Sequence, residues 1–402
     1  MLPEIGYTGV ITIEHEPEEG DPREAVRESA ERVRAWQKAQ RPRSGKAPVR
    51  VAIVGCGNIA GQYAENVAPH PEVEIVGAQD LDRARAEAFC ARYGGTVYDR
   101  LEDVIAAPEV DVVVNLTIHH AHVEVITKCL EGGKHVHSEK PIAMTYAEAK
   151  RLVDLAAEKN LRLSCAPITW MGEAQQTAWK LVRDGRIGTP RVAYAEVNWG
   201  RIESWHPNPG PFYEVGPVFD VAVYPLTLLT TWFGPAKRVT AAGGVVYPDR
   251  VTKEGKPFTI TTPEWTCAVV ELASGVRARV TASFYVGWNT RQHGLEVHGD
   301  KAMVALDRWD VFDTGVWFAP LEQRDGATRV PLLRPGVPGI EFGRGIVELA
   351  QAIQENRPHR AQGAQAAHVV EVMEAIHGCL GDGRPRAIHS TFDAPEPMDW
   401  AR

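Results

Sequence analysis

Residues 49–60 read Val-Arg-Val-Ala-Ile-Val-Gly-Cys-Gly-Asn-Ile-Ala, and the chemistry such a stretch can do is to hold two phosphates. The glycines fall in a G-x-G-x-x-A pattern. Gly55 can take a tight turn, Gly57 lets the backbone approach a pyrophosphate, and small Ala60 lets the next helix pack close to the strand. The N–H groups of Gly57, Asn58 and Ile59 would then face the phosphates at the helix start. Glycines also end strands for purely structural reasons, so the spacing needs company. A second apolar strand, residues 73–78, supplies it by running into Gln79 and Asp80, where the fingerprint expects an acid for the ribose hydroxyls. Asp80 favours NAD over NADP, while Arg83 nearby keeps NADP open. Metal ligation is the other chemistry on offer, from His119, His120 and His122 or from His135 and His137. The second pair has the same-face spacing of a strand but no carboxylate or thiol partner, and no metal is assigned.

A phosphate-binding turn needs a parallel sheet behind it. After the turn, strands and helices of roughly ten residues alternate as far as the strand 161–166, which implies β/α/β units and a doubly wound sheet over residues 48–167. Beyond Pro167 the texture changes to period-two runs at 191–199, 238–247, 266–272, 276–284 and 295–298, separated by Gly, Pro and Asn turns. Residues 168–402 therefore read as an α+β domain with a mixed, mostly antiparallel sheet. Helices at 172–184, 226–233, 343–356 and 364–380 should surround it. One sheet face is left free to cover a site or a second subunit.

Residues 1–47 stand outside this plan. A turn and strand over 5–16 and a charged amphipathic helix over 21–38 resemble the last β/α unit of the xylose-isomerase-like TIM barrels. One unit cannot close a barrel. Glu14 and His15 are therefore read as inert, the segment as a relic of a gene fusion or of a start inside an upstream gene, and residues 40–48 as a linker.

Composition narrows the function classes. With 402 residues the chain can bury a large core and divide into two domains. The net charge of −8 is spread out with no basic block, which argues against nucleic acid or an anionic membrane as partner. Six cysteines lie far apart with no C-x-x-C pair and read as buried thiols of a reducing compartment. No signal-peptide layout and no uninterrupted membrane-length apolar run is visible, so the expected location is the cytoplasm.

A second signature, His137-Ser138-Glu139-Lys140-Pro141, follows a strand. Together with the glycine turn and the α+β second half, it resembles the Gfo/Idh/MocA family of NAD(P)-dependent sugar and polyol oxidoreductases from about residue 49 to the end. The resemblance extends to residues 116–122, where the family has a Thr followed by a His near the nicotinamide, here Thr117, His119 and His122. It also covers residues 204–209, 216–220 and 344–346. It implies that Glu139 and Lys140 belong to the cofactor side, and that the Lys140 ammonium stabilises an alkoxide as it loses hydride, with a pKa that falls on partial burial. It also implies an Asp-x-x-x-His pair. Here Asp220 is followed by Tyr224, so tyrosine stands where histidine is usual. A phenol is a poor base at neutral pH unless a neighbouring cation lowers its pKa. Tyr224 is accordingly read as the proton acceptor or donor, oriented by Lys140 and Asp220. Asp220 as a helix N-cap and Tyr224 as a substrate-binding hydroxyl, with His206 or a water taking the proton, are the alternatives.

Aromatic and polar residues suit a sugar, and Trp170, Arg201, Trp205, His206, Tyr213 and Trp288 are the candidates, with Trp205 and His206 favoured by their Pro/Gly-rich loop. Trp199 reads as core. The expected activity is hydride transfer between NAD(H) and a secondary alcohol or ketone of a sugar, glycoside, inositol or sugar acid. Rival readings are a keto-sugar-forming glycoside oxidoreductase working beside a TIM-barrel isomerase or lyase, and a non-catalytic NAD(P)-binding regulator. A homodimer or homotetramer through the open sheet face is expected.

Overall fold

The computed structural model describes residues 46–402 apart from Trp288. The expected TIM-barrel-like fragment lies outside the described residues. The chain enters through β1 (Val49–Val54), whose β-branched residues are almost wholly buried. There follow α1 (Ala60–Val67), β2 (Val73–Gln79), α2 (Arg83–Tyr93), β3 (Thr96–Val97), α3 (Leu101–Ala106) and β4 (Val112–Asn115). The half closes with α4 (His122–Glu131), β5 (His135–Ser138), α5 (Tyr146–Glu158) and β6 (Leu163–Cys165). The six strands are ordered β3-β2-β1-β4-β5-β6 with every pair parallel. Helices on both faces explain why Val112, Val113 and Val114 can all be apolar and buried. The order reverses between β1 and β4, which opens a crevice at the strands' carboxyl ends.

The second half builds α6 (Glu173–Arg183), β7 (Pro190–Asn198), α7 (Gly210–Pro217), α8 (Val223–Phe233), β8 (Ala236–Gly244), β9 (Asp249–Val251) and β10 (Pro257–Thr259). Then come β11 (Trp265–Leu272), β12 (Arg277–Ser283), β13 (Gly294–Gly299), β14 (Ala302–Leu306), β15 (Val316–Pro320) and β16 (Thr328–Val330). The last elements are α9 (Arg344–Glu355), α10 (Gly363–Asp382) and β17 (Arg386–Ala387). Nine strands form one sheet, β16-β15-β14-β13-β7-β12-β11-β8-β17, with β7 and β12 parallel and the other pairs antiparallel. β9 and β10 pair apart from it. Alternate residues such as Ala193, Ala195 and Val197 of β7 face the core, while Val269 of β11 is exposed on the far face.

Two expectations change here. The late helix α9 does not surround the nine-stranded sheet. It packs on α1 and β1, where Ile346, Val347, Leu349 and Ala350 complete the core of the parallel half. The stretch Gly210–Phe233 is long and apolar enough to cross a membrane, yet 78% of its most apolar window is buried inside the protein. It is a core helix, bent by Gly216 (φ 76°) and by a wide π turn at Val218–Ala222 before α8 begins.

Candidate active site

The glycine turn sits at the crevice between β1 and β4. Gly55 has φ +95°, and a Cβ there would stand 2.8 Å from the backbone of Leu116 and Thr117, so no other residue fits without strain. A Cβ on Gly57 would meet nothing within 4 Å, which leaves open space above the turn. Helix α1 has neither a side-chain cap nor an acid in its first turn, so its N-terminal end suits an anion. The Asp80 carboxylate accepts from the N–H of Cys56 at 2.7 Å and of Asp82 at 2.8 Å, which fixes it at the end of β2. Arg83 pairs with Glu87 and Asp99, so its charge is already matched. Leu81 and Ile118, just beyond β2 and β4, are large apolar side chains left exposed, as the walls of a site for an aromatic base would be. The residues present fit a dinucleotide.

Lys140 lies past the end of β5, and its ammonium donates to Asp220 twice, to the backbone oxygen at 2.6 Å and to Oδ1 at 2.8 Å. The π turn explains the first bond. Such a turn would have residue 225 donate to the carbonyl of Asp220, but Pro225 has no N–H. The lysine satisfies that oxygen instead. Asp220 is thus an interior residue of the turn and not an N-cap. The side chains of Lys140 and Asp220 are 14% and 20% exposed, recessed but open to a substrate. Lys140 Nζ also stands 5.2 Å from the centroid of the Tyr224 ring. The Tyr224 hydroxyl makes no hydrogen bond among the described residues.

The expected charge tuning is overturned on both sides. Burial alone would lower the pKa of Lys140, but the Asp220 carboxylate, with Tyr224 and Glu139, outweighs it and raises the pKa. Burial pushes the Tyr224 phenol up, and the opposing Lys140 cation does not overcome it. At neutral pH the site therefore holds an ammonium beside a neutral phenol.

Glu139 is placed as an anchor. One oxygen accepts from the Tyr63 hydroxyl of α1 at 2.6 Å and the other from the Lys140 N–H at 3.0 Å. Thr117 donates to Asn115, and the ring of His122, almost wholly buried and neutral, lies between the Thr117 and Pro141 carbonyls at 3.0 and 2.7 Å and donates its one N–H to one of them. His119 stacks on His120 with 4.0 Å between ring centroids, and its Nε2 is buried without a partner. Burial lowers its pKa and keeps it neutral.

The aromatic candidates divide. Trp170 is 1% exposed, packed edge-on against Trp179, and lies behind Pro141 in the core. Tyr213 is likewise buried. Its hydroxyl donates to Glu203 at 2.5 Å and accepts from Arg250 at 2.8 Å. Arg250 is fully buried and also meets Glu203 and Glu264, so Tyr213 belongs to a charge cluster that ties down the loop after β7. Trp205 and His206 stay in that loop, stacked with Phe212, and make no hydrogen bond or ring contact with Lys140, Asp220 or Tyr224. Arg201 is held between the Tyr285 and Tyr247 rings at 4.6 and 5.2 Å. Trp288 lies outside the described residues. Sequence reasoning missed Tyr63, Trp309 and the Arg250 cluster. Trp309 packs on Tyr224 with 5.3 Å between ring centroids. Among the described residues, no three His, Cys, Asp or Glu side chains are gathered to hold a metal.

A doubly wound dinucleotide domain followed by a sheet domain, with the lysine of one half clasped by the aspartate of the other, defines a class of Rossmann-type two-domain proteins. The chain belongs to the Gfo/Idh/MocA family. The profile described as "Oxidoreductase family, NAD-binding Rossmann fold" matches residues 49–166, and that described as "GFO/IDH/MocA C-terminal domain" matches residues 175–305. An uncharacterised oxidoreductase of Schizosaccharomyces pombe is 30% identical over 204 residues, 48% of this chain and 54% of that protein, so the match spans about half its length. An inositol 2-dehydrogenase of Rhizobium meliloti is 25% identical over 289 residues, 71% of this chain and 82% of that protein. A levoglucosan dehydrogenase solved with NADH and levoglucosan superposes with a TM-score of 0.73, covering 85% of this chain and 99% of that one, at 19% identity, a likeness of fold.

Proposed function

We propose that this protein is an NAD-dependent oxidoreductase that moves a hydride between the nicotinamide and a secondary alcohol or ketone of a sugar, glycoside, inositol or sugar acid. The observation that carries the reading is the Lys140 ammonium, held 2.8 Å from the Asp220 carboxylate past the end of a strand next to the dinucleotide crevice. The names of the inositol and levoglucosan relatives support a polyol-like substrate.

The bound cofactor supplies the hydride acceptor or donor. Asp80 takes the ribose hydroxyls, and its matched neighbour Arg83 offers little to a 2′-phosphate, which favours NAD. Lys140 donates a hydrogen bond to the reacting oxygen and stabilises the charge that develops there. The proton leaving the alcohol is relayed through that ammonium to the Asp220 carboxylate, and it returns by the same path when a ketone is reduced. Tyr224, a neutral phenol, donates a second hydrogen bond to the oxygen.

The test is NADH formation by the full chain with NAD and NADP in parallel, against sugars, glycosides, inositols and sugar acids. Turnover with NAD that is lost in Lys140→Met, while NAD binding persists, is expected. NAD binding without turnover of any substrate would favour a regulator instead. We further propose self-association through the open face of the nine-stranded sheet, where Val269 is exposed. A monomeric mass in light scattering would refute it.

A further inference from the structure

Arg201 stands exposed in the loop after β7, with its guanidinium carbon 4.6 Å from the centroid of the Tyr285 ring and 5.2 Å from that of Tyr247. Among the described residues no carboxylate or carbonyl accepts from this guanidinium. The acids around it are spent elsewhere. Glu203 takes the Tyr213 hydroxyl and Arg250, and Glu264 takes Arg250 and the N–H groups of Val246 and Tyr247. A cation held by aromatic rings uses its charge there and keeps its N–H groups to give. The hydroxyls of Tyr285 and Tyr247 also have no partner among the described residues.

The cluster lies at the reacting end of the sheet domain. Tyr285 follows β12, the strand on which the π turn carrying Asp220 packs. Ile202, next to Arg201, donates its N–H to the Tyr213 hydroxyl at 3.3 Å, and Tyr213 sits on α7, which leads into that turn. Two residues before Arg201, Trp199 packs against the core and stacks with Trp309, whose ring meets that of Tyr224 at 5.3 Å between centroids. The elements that set Asp220 and Tyr224 thus also set Arg201. It makes no hydrogen bond, ion pair or ring contact with Lys140, Asp220 or Tyr224, so what it meets is not the reacting carbon of a ligand.

A guanidinium only donates and is always charged, so its partner is an acceptor. An oxyanion suits it best, because two parallel N–H···O bonds match the edge of a carboxylate or phosphate. The rings hold the side chain before a ligand arrives, so less rotamer freedom is lost on binding. We infer that Arg201, with the Tyr285 and Tyr247 hydroxyls beside it, anchors an oxyanion on the part of the substrate that does not react, which makes the substrate a sugar carboxylate or sugar phosphate in preference to a neutral sugar. The inference rests on the reading of Lys140 and Asp220 as the reacting pair.

The experiment is calorimetric titration of the full chain saturated with NADH, at fixed ionic strength, using glucuronate, galacturonate, gluconate and glucose 6-phosphate against glucose, galactose and sorbitol. NADH formation from the same compounds is recorded in parallel with NAD. At least one anion is expected to bind about tenfold more tightly than its neutral counterpart, and Arg201→Gln to bring that ratio to about one. The carboxylate and phosphate arms tell which oxyanion the anchor takes. Arg201→Lys, which keeps a charge without the planar fork, is expected to lose most of the ratio and serves where Arg201→Gln does not fold. No preference for any anion, or a preference that survives both variants, overturns the anchor. An Arg201-dependent preference without NADH formation would leave the anchor standing and refute hydride transfer. NADH formed from neutral sugars with no preference for anions would do the reverse.

Discussion

Lys140 and Tyr224 differ in what the site asks of them. The lysine is held by Asp220 through two hydrogen bonds, and in the proposed reaction it sets a full charge at the reacting oxygen. Its pKa is raised, so it stays protonated across the neutral range. Lys140→Met should lower kcat by about 10²–10³-fold, the size expected for removing a preorganised donor from a developing oxyanion. Tyr224 is neutral, and in the proposed mechanism it gives one uncharged hydrogen bond, so Tyr224→Phe should cost about tenfold. Steady-state rates of the two variants, measured side by side with NAD binding, decide it. Equal losses would make the phenol the group that carries the proton. In the proposed mechanism the tyrosine that stands at residue 224 leaves the proton path to the lysine–aspartate clasp.

At the scale of elements, α1 does two jobs. Its N-terminal end faces the glycine turn, and one turn further on Tyr63 donates to Glu139, whose other oxygen holds the Lys140 backbone. The cofactor helix and the lysine loop are therefore one mechanical unit. Tyr63→Phe removes the donor and leaves a half-buried carboxylate oxygen unpaired, which should cost about 1–3 kcal/mol in urea unfolding. It should also lower kcat severalfold. A variant with wild-type stability and wild-type kcat would show that the tie carries nothing. The strands and helices that build this unit were legible in the sequence, because alternation of β-branched runs with amphipathic helices is a local signal. Lys140, Asp220 and Tyr224 were legible as residues, and the structure brings them together. The signs of their pKa shifts were not legible, because they depend on how deeply the cluster is buried and on how many carboxylates surround it. Tyr63 gave no signal, since a tyrosine on the apolar face of a helix looks like packing until its hydroxyl partner is known. Tyr213 erred the other way. It read as an aromatic with a polar tip suited to a sugar, and its hydroxyl is claimed instead by Glu203 and by the buried Arg250, placed by a distant hairpin. Helix α9 was visible as a helix, but nothing local tells which sheet it covers.

For the whole molecule, buried imidazoles set the acid limit. Burial depresses His137 to about 3 and His368 to about 4, both below the unfolded value of about 6.5. His368 shows why, since its Nε2 accepts the Ala236 N–H at 2.9 Å and cannot do so once protonated. Groups whose folded pKa is depressed in this way contribute fully above the unfolded pKa and lose that contribution as pH falls. Each should forfeit about 2 kcal/mol between neutral pH and about pH 5. Urea midpoints at the two pH values measure it, and an unchanged midpoint would mean the imidazoles are not held neutral. Finally, the core around Val49, Val51 and Ile53 contains Ile346, Val347, Leu349 and Ala350 of α9. A fragment of residues 46–170 should therefore be insoluble when expressed alone, and a soluble fragment that binds NAD would show the late helix to be dispensable. On the ribosome the dinucleotide half is synthesised ahead of the sheet domain and is among the last to be finished. Until α9 leaves the exit tunnel, a nascent chain keeps that apolar face open for chaperones to shield.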